Sequence, residues 1–349
     1  MLGFDARAAR AAWTAIAIAG LLAGVYLLRQ VILIFILALM LAYLLTPVVD
    51  FVDRLASRRN MSRNLSLLVV YLLLLAAVVS IGTAVGARVA DEAIELASKI
   101  PQYARDPAQL DSLPIPWWLK QHRESIGAWV LDQFDVHSEE LMASLPKALR
   151  SLLGAAGSLL FLFLAPILSF FFLKDGAELK AWFFDLISPG TNQPALEGIL
   201  ADVHRLLVLY IRALVALGLC TFATFAVVLG LMGVPYALLL SLLAGAVEFV
   251  PAAGPLLAAG VILVVSALAG YPHLVWVAAF LAVYRIFLDY VLQPHFLGQG
   301  VALPPLVIIF GVLAGERLAG IPGMLLCIPI MAMARILIVR LRGVPDAAA

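Results

Sequence analysis

Three ionisable side chains interrupt long apolar segments of this sequence. Glu248 directly follows an apolar run at 235–247, and Arg285 and Asp289 lie inside another at 273–297. A charge at the centre of a bilayer costs at least about 2.5–3.5 kcal/mol, so such side chains usually pair with each other or face a cavity. A carboxylate in that position can bind a proton or coordinate a monovalent cation.

Arg285 and Asp289 are four residues apart, which places them on one face of a helix and within reach of an ion pair. One interpretation is an internal salt bridge that makes both charges tolerable in a low-dielectric bundle. The other makes Asp289 a titratable or cation-coordinating group, with Gln293 one turn further along the same helix. The spacing is compatible with either.

Glu248 opens the stretch EFVPAAGP, in which Pro251, Gly254 and Pro255 prevent one continuous helix. Pro255 suits the first turn of a new helix, whose free N–H groups and positive dipole end would point into the break. This arrangement predicts a site for an anion or a polar solute at the tip of a broken hairpin.

A second break has the same composition. Pro304 and Pro305 begin an apolar run, which Gly320, Pro322 and Gly323 interrupt. Discontinuous helices at membrane depth, with free backbone carbonyl and N–H groups, are typical of transporter binding sites. We therefore predict that both breaks border one solute or ion pathway, together with the helix that carries Arg285.

The composition places these segments in a membrane. Hydrophobic residues make up 64% of the 349 residues and charged residues only 13%, and the mean hydropathy is +1.06, far outside the range of soluble domains. A net charge of +1 and the absence of a basic tract argue against a nucleic-acid partner. The two cysteines, Cys220 and Cys327, lie in apolar segments and indicate neither a disulfide framework nor a metal site.

Apolar runs of near-spanning length occur at 11–28, 31–49, 65–87, 151–173 and 206–232. Beyond residue 232 the runs are shorter, and the one at 235–247 would be only about 20 Å long against a hydrocarbon core of roughly 30 Å. Short runs joined by irregular backbone cannot face lipid, because unpaired backbone groups there are costly. The pattern predicts an all-α polytopic membrane protein with broken, re-entrant hairpins in its C-terminal half.

The distribution of charge predicts the orientation. Arginines cluster at Arg7 and Arg10, in the loop at 54–63 and beyond residue 335, which places both termini in the cytoplasm. The segment 89–150 contains more acids than bases and is predicted to be extracytoplasmic. We accordingly divide the chain into N-terminal transmembrane helices at 1–88, an external helical segment at 89–150 and a transmembrane core at 151–349.

Known catalytic signatures are missing from the sequence. It contains no HExxH, GxGD or GxSxG-type motif, and its five histidines are too scattered for a metal cluster. No GxxxxGK[ST] loop is present, so transport would use a gradient or a partner rather than ATP hydrolysis by this chain. These observations favour a secondary transporter or facilitator over an enzyme.

Five separated stretches carry a family resemblance. They are LSFFFLKDG at 168–176, EFVPAAGP at 248–255, DYVLQPHFLG at 289–298, LPPLVIIFGVLAG at 303–315 and GIPGMLLCIPI at 320–330. In this order and spacing, the sequence resembles the autoinducer-2 exporter family of bacterial permeases, also described as PerM-like. The resemblance covers most of the chain.

The resemblance implies a permease of about eight spans in the bacterial inner membrane, assembled as a homo-oligomer such as a pentamer. It further implies export of a small polar solute such as autoinducer-2, or exchange of sodium or lithium for protons. No cofactor is expected beyond a coupling ion, H⁺ or Na⁺. The partners would be the lipid bilayer and the transported solute or monovalent cation.

A membrane scaffold is the alternative from another functional class. Glycine and proline kinks also permit close helix packing, so a large oligomer could use them without transporting anything. A scaffold should tolerate Glu248→Gln and Asp289→Asn once it folds, whereas a coupled transporter should lose flux while its assembly stays intact.

Overall fold

The computed structural model describes residues 26–57, 63–105, 159–187, 193–251, 253–297 and 304–341, with a few positions between 13 and 24. Regular structure in these ranges is helical throughout. This confirms the predicted all-α class for the described part of the chain. The proline- and tryptophan-rich portion of the predicted external segment, at 106–150, lies outside the described residues.

The described residues form nine α-helices and one π-helical turn. In chain order they are α1 (Arg29–Ser57), α2 (Arg63–Arg105), α3 (Leu159–Ile187), α4 (Gln193–Met232), α5 (Ala237–Val247), α6 (Ala253–Leu268), α7 (Leu274–Phe287), the π turn (Leu288–Leu292), α8 (Gln293–Leu297) and α9 (Pro305–Leu341).

Five segments within these helices are long and apolar enough to cross a membrane. They are Val31–Leu55, Arg63–Lys99, Leu196–Leu231, Leu274–Phe296 and Pro322–Arg340. The chain is therefore a multi-pass membrane protein, while the total of about eight spans stays a prediction. Helices α5 and α6, with 11 and 16 residues, are only about 16 and 24 Å long and fall short of a hydrocarbon core of roughly 30 Å.

Helix α4 is the centre of the packing. It contacts α5, α1, α8 and α9, while α6 packs between α5 and α7. The main core cluster joins four consecutive helices through fully buried Leu229, Leu240, Ile262 and Val277. The four helices α4 to α7 therefore form one packed unit.

The connection between α5 and α6 is a tight corner at the predicted first break. Helix α5 ends at Val247 and α6 begins at Ala253. A Cβ atom added to Gly254 would lie 1.7 Å from the carbonyl oxygen of Val247. Only glycine permits this approach of the two backbones, which explains why the turn carries a glycine beside its prolines.

Two more glycines bring α4 and α5 into backbone contact. A Cβ on Gly245 would lie 2.8 Å from the carbonyl oxygen of Gly218, and one on Gly218 would lie 3.1 Å from the oxygen of Gly245. Small residues that allow such proximity are the usual means of helix association in a bilayer. The first arm of the broken hairpin is therefore held directly against α4.

Helix α9 is itself a hairpin, broken where the sequence predicts the second interruption. Gly320 has φ 63° and ψ −142°, which is outside the helical region and accessible mainly to glycine. The two arms then meet through Gly315 and Gly323, where a Cβ on either residue would lie 2.4 Å or less from the other's carbonyl oxygen. This hairpin packs on α4, where the Tyr210 hydroxyl donates to the carbonyl oxygen of Leu325 at 3.3 Å.

Candidate functional site

A cavity of about 310 Å³ lies within the α4 to α7 unit, beside the first break. Its lining residues are Thr221 and Phe225 of α4, Ala244 of α5, Glu248 of the turn, Pro255, Leu256, Ala258, Ala259 and Leu263 of α6, Ala278, Leu281, Ala282, Tyr284 and Arg285 of α7, and Leu288 of the π turn. Most of this surface is apolar, and the polar groups come from only four side chains.

Glu248 is the charged residue at the tip of the broken hairpin. It follows the last residue of α5 directly, and its backbone N–H still donates to the carbonyl oxygen of Ala244. Only 8% of the residue is exposed. Its charged neighbours are Arg285 and Asp289, and the hydroxyl of Thr221 lies close to its carboxylate. The end of α5 thus places a carboxylate inside the cavity rather than at the protein surface.

Arg285 and Asp289 form the predicted ion pair. Nε of Arg285 donates to Oδ2 of Asp289 at 2.8 Å, and Nη2 lies 2.8 Å from Oδ1. This two-point geometry is the strong form of an arginine–carboxylate contact. The remaining nitrogen, Nη1, is buried without a hydrogen-bond partner among the described residues. The guanidinium lines the cavity, and this donor group is buried beside it.

A π-helical turn follows Arg285 and contains Asp289. The N–H of Gln293 donates to the carbonyl oxygen of Leu288, five residues earlier. Pro294, the next residue, has no N–H, and its ring would clash with the carbonyl of Tyr290 in a regular α-helix. The wider turn accommodates that proline. Single π turns of this kind occur frequently at functional sites.

The sequence analysis did not single out two hydroxyl groups that belong to the cavity. The hydroxyls of Thr221 and Tyr284 lie 2.9 Å apart in a buried contact between α4 and α7. Both residues stand in apolar runs, where a neutral hydroxyl is a much weaker signal than a charge. A search for every polar side chain at membrane depth, rather than for charges alone, could have found them.

The family comparison decides which proteins this chain belongs with. The family model described as AI-2E family transporter matches residues 15–343. The chain belongs to the AI-2E transporter family. The resemblance in the five sequence stretches is thereby confirmed over nearly the whole chain.

Individual relatives of this AI-2E family member are distant but extensive. The AI-2 transport protein TqsA of Escherichia coli (strain K12) is 26% identical over 332 residues, covering 93% of this chain and 90% of TqsA. YueF of Bacillus subtilis (strain 168), named as a candidate transport protein, is 23% identical over 308 residues, or 86% and 81% of the two chains. Both matches extend over most of the two chains compared, so they support transport in general terms.

The structure brings some of the predicted site residues of this AI-2E transporter together and places others elsewhere. Glu248, Pro255 and Arg285 line the cavity, and Asp289 joins them through its ion pair. The other predicted site residues do not line the described cavity: Pro251 and Gly254 shape the corner, Gln293 begins α8, and Gly320, Pro322 and Gly323 lie in the α9 hairpin. A role of this second group in the pathway stays a prediction.

Some of the N–H groups that were predicted to be free at the start of α6 already donate to backbone carbonyl oxygens. The N–H of Ala253 donates to the carbonyl oxygen of Pro251 at 2.7 Å, and that of Gly254 donates to Val250 at 3.0 Å. Pro255 has no N–H to offer. Polar contacts to a solute would therefore come mainly from side chains, which is a physical reason to prefer Glu248 and Arg285 over the helix end.

Helix α2 of this AI-2E transporter contributes a carboxylate to the other end of the hairpin. Oε2 of Glu92 accepts a hydrogen bond of 2.8 Å from the backbone N–H of Leu239, in the first turn of α5. The first N–H groups of a helix lack partners within the helix. A carboxylate at this position also interacts favourably with the helix dipole. Glu92 therefore fixes where α5 begins.

We expect Glu92→Ala to destabilise the protein by about 1–3 kcal/mol, because it leaves a part-buried N–H without an acceptor. Thermal unfolding in detergent and hydrogen exchange at the Leu239 amide would measure the loss. Glu95→Ala is the matched control, since Glu95 lies on the same helix and its contact is an exposed ion pair with Lys99. Equal effects of the two substitutions would remove the capping role.

Proposed function

We propose that this AI-2E family member is a secondary transporter or facilitator that exports a small polar solute through the cavity within α4 to α7. The observation that carries the proposal is the buried carboxylate of Glu248, held at the tip of a broken hairpin beside the Thr221 hydroxyl and the Arg285 guanidinium. Ionisable side chains kept at membrane depth despite their cost commonly mark substrate and ion pathways.

The proposed depth of the cavity follows from helix lengths. Thr221 precedes the end of α4 at Met232 by about 16 Å of helix, which is about half of a hydrocarbon core of roughly 30 Å. Helices α5 and α6 are each too short to cross. The hairpin would then enter and leave on one side of the membrane with Glu248 near its midplane, where transporter sites built from discontinuous helices lie.

Autoinducer-2 is the first solute to test. TqsA, a relative along almost its whole length, is named as an AI-2 transport protein. A small hydroxylated molecule needs several hydrogen-bond partners, and the cavity is lined by a carboxylate, two hydroxyls and a guanidinium. The family resemblance adds export across the bacterial inner membrane by a homo-oligomer, and the distribution of arginines adds that both termini are cytoplasmic.

Exchange of sodium or lithium for protons is the second candidate, and the proximity of two carboxylates to each other favours it. Glu248 lies within electrostatic range of Asp289. However, Asp289 already gives both of its oxygens to Arg285. The described residues also contain no group of three or more His, Cys, Asp or Glu side chains suited to a metal ion. These contacts favour the organic solute.

The experiment compares fluxes in proteoliposomes that contain wild-type protein, Glu248→Gln or Asp289→Asn. One assay follows labelled autoinducer-2, and the other pulses sodium or lithium and records an internal pH dye. We expect solute flux in the wild type and at least a tenfold loss in Glu248→Gln. Glu95→Gln, an exposed carboxylate outside the cavity, is the control and should keep full flux.

The other outcomes separate the alternatives. Cation-triggered proton movement that disappears in Asp289→Asn would replace the export proposal with the antiporter. Absence of both fluxes in wild-type protein that is folded and inserted would favour the scaffold, especially if Glu248→Gln also assembles normally.

A further inference from the structure

The cavity has an opening on one side, between α6 and α7. Three of its lining residues form this rim: Leu256 of α6, of which 75% is exposed, and Ala278 and Ala282 of α7, which are both exposed. On the opposite side, Thr221 and Ala244 are buried between α4 and α5. The cavity is therefore closed towards α4 and accessible from outside the bundle.

The rim lies at membrane depth. Ala278 and Ala282 belong to the segment Leu274–Phe296, one of the five that are long and apolar enough to span a bilayer. They are four residues apart, so they stand on the same face of α7. Their methyl side chains leave a gap where larger residues would close the cleft. Where this segment crosses the bilayer, a gap on its outer face opens towards lipid rather than towards water.

The polar and apolar parts of the cavity are segregated. Glu248, Arg285 and the hydroxyl pair form one polar end. The other lining side chains carry no polar group: Phe225, Ala244, Pro255, Leu256, Ala258, Ala259, Leu263, Ala278, Leu281, Ala282 and Leu288. A solute covered with hydroxyl groups would leave several of them unpaired against this wall, which costs free energy for each group.

We propose that the cavity is loaded sideways from the bilayer, between α6 and α7, by an amphipathic solute whose hydrogen-bonding end reaches Glu248 and Arg285. This inference rests on the proposed transport function and, within it, favours an amphipathic solute over one that is covered with hydroxyl groups. The volume of about 310 Å³ is at the lower end for small-molecule pockets and suits one polar group on a short apolar body. Solutes of this kind concentrate in the bilayer, on the open side of the cavity.

The first test measures protection of a cysteine at the rim. The full chain carries Ala282→Cys with Cys220→Ala and Cys327→Ala, and is reconstituted in lipid vesicles. The rate of alkylation by a membrane-soluble maleimide is recorded with butane-, hexane- and octane-1,2-diol, and with glycerol and erythritol. We expect protection by the diols, about fourfold tighter for each added methylene that the apolar wall buries, and little protection by the two polyols.

Ala279→Cys in the same background is the matched control. Ala279 is an exposed alanine of α7 that lines a separate groove with Trp276 and Phe280. A diol effect of equal size at both positions would reflect partition into the bilayer and would overturn the proposal. Equal protection by erythritol at Ala282→Cys would also overturn it, but would leave export of a polar solute standing.

The second test asks what lies outside the rim. The rate of reaction with a charged, water-soluble thiosulfonate is divided by the rate with the maleimide at each position. This ratio should be at least tenfold lower for Ala282→Cys than for an exposed cysteine placed at Glu95. Fast reaction with the charged reagent would mean that the cleft opens to water. Disulfide crosslinking between copies through Ala282→Cys would mean that a second subunit covers it. Either result overturns the sideways route.

The third test blocks the opening. Ala282→Trp should abolish diol protection of a cysteine at Leu256 and reduce any solute flux at least tenfold, whereas Ala279→Trp should leave both unchanged. Full protection in Ala282→Trp would contradict entry between α6 and α7. If the wild-type protein shows normal diol protection but no solute flux, the result would count against transport and support the binding site.

Discussion

Replacement of Gly254 with alanine is expected to prevent correct assembly of the broken hairpin. The new Cβ would lie 1.7 Å from the carbonyl oxygen of Val247 and 2.7 Å from its carbonyl carbon. Both are backbone atoms, so no side-chain rotation can relieve the overlap. The corner would have to open and carry Glu248 with it. We expect a loss of at least about 3 kcal/mol, the upper part of the range for overpacked sites.

Gly260→Ala is the matched control, because Gly260 is on the same helix and a Cβ there meets nothing within 4 Å. Alanine has the higher helix propensity, so the control should be neutral or stabilising by up to about 1 kcal/mol. Thermal unfolding and size-exclusion profiles in detergent would compare the two variants. Similar profiles for both would show that the corner is less tightly built than the structure indicates.

Loss of Arg285 should have the second large effect on stability and flux, because it leaves a carboxylate without its ion-pair partner. Arg285→Met leaves Asp289 without its two-point partner. Removal of one member of a fully buried pair costs about 3–5 kcal/mol. Since 39% and 35% of the two side chains are exposed, we expect a loss nearer to 2 kcal/mol in stability and at least a tenfold loss of flux.

A double-mutant cycle with Asp289→Asn separates the two effects. The second substitution removes the unpaired charge of Asp289, so Arg285→Met/Asp289→Asn should recover most of the stability. It should not recover flux, because the guanidinium that lines the cavity is still missing. Recovery of both properties would make the pair purely structural, the other interpretation that the spacing allows. Arg285→Lys should retain charge but lose the fork geometry and therefore recover only part of either property.

Much of this architecture could be predicted from the sequence, because the deciding signals are local. The apolar runs predict the helices, the i and i+4 spacing predicts the Arg285–Asp289 pair, and the Pro and Gly residues of EFVPAAGP predict the corner after α5. Each signal operates within a few residues of chain. None of them requires knowledge of which helices are neighbours in space.

What could not be predicted depends on contacts between distant segments. Glu92 binds the start of α5 across 147 residues of sequence, and the Thr221–Tyr284 contact spans 63. The π turn that carries Asp289 is likewise invisible in a pattern of hydrophobic spacing. The described contacts place the α9 hairpin on α4, and the predicted role of this second break in the pathway stays a prediction.

The glycine contact between α4 and α5 has a mechanical consequence for the cavity. With the backbones of Gly218 and Gly245 nearly touching, these helices cannot slide past one another without a steric clash. Shear between α4 and α5 is thus blocked. In a transport cycle of this protein, the Thr221 wall and the arm of α5 that ends before Glu248 would then move together as one body.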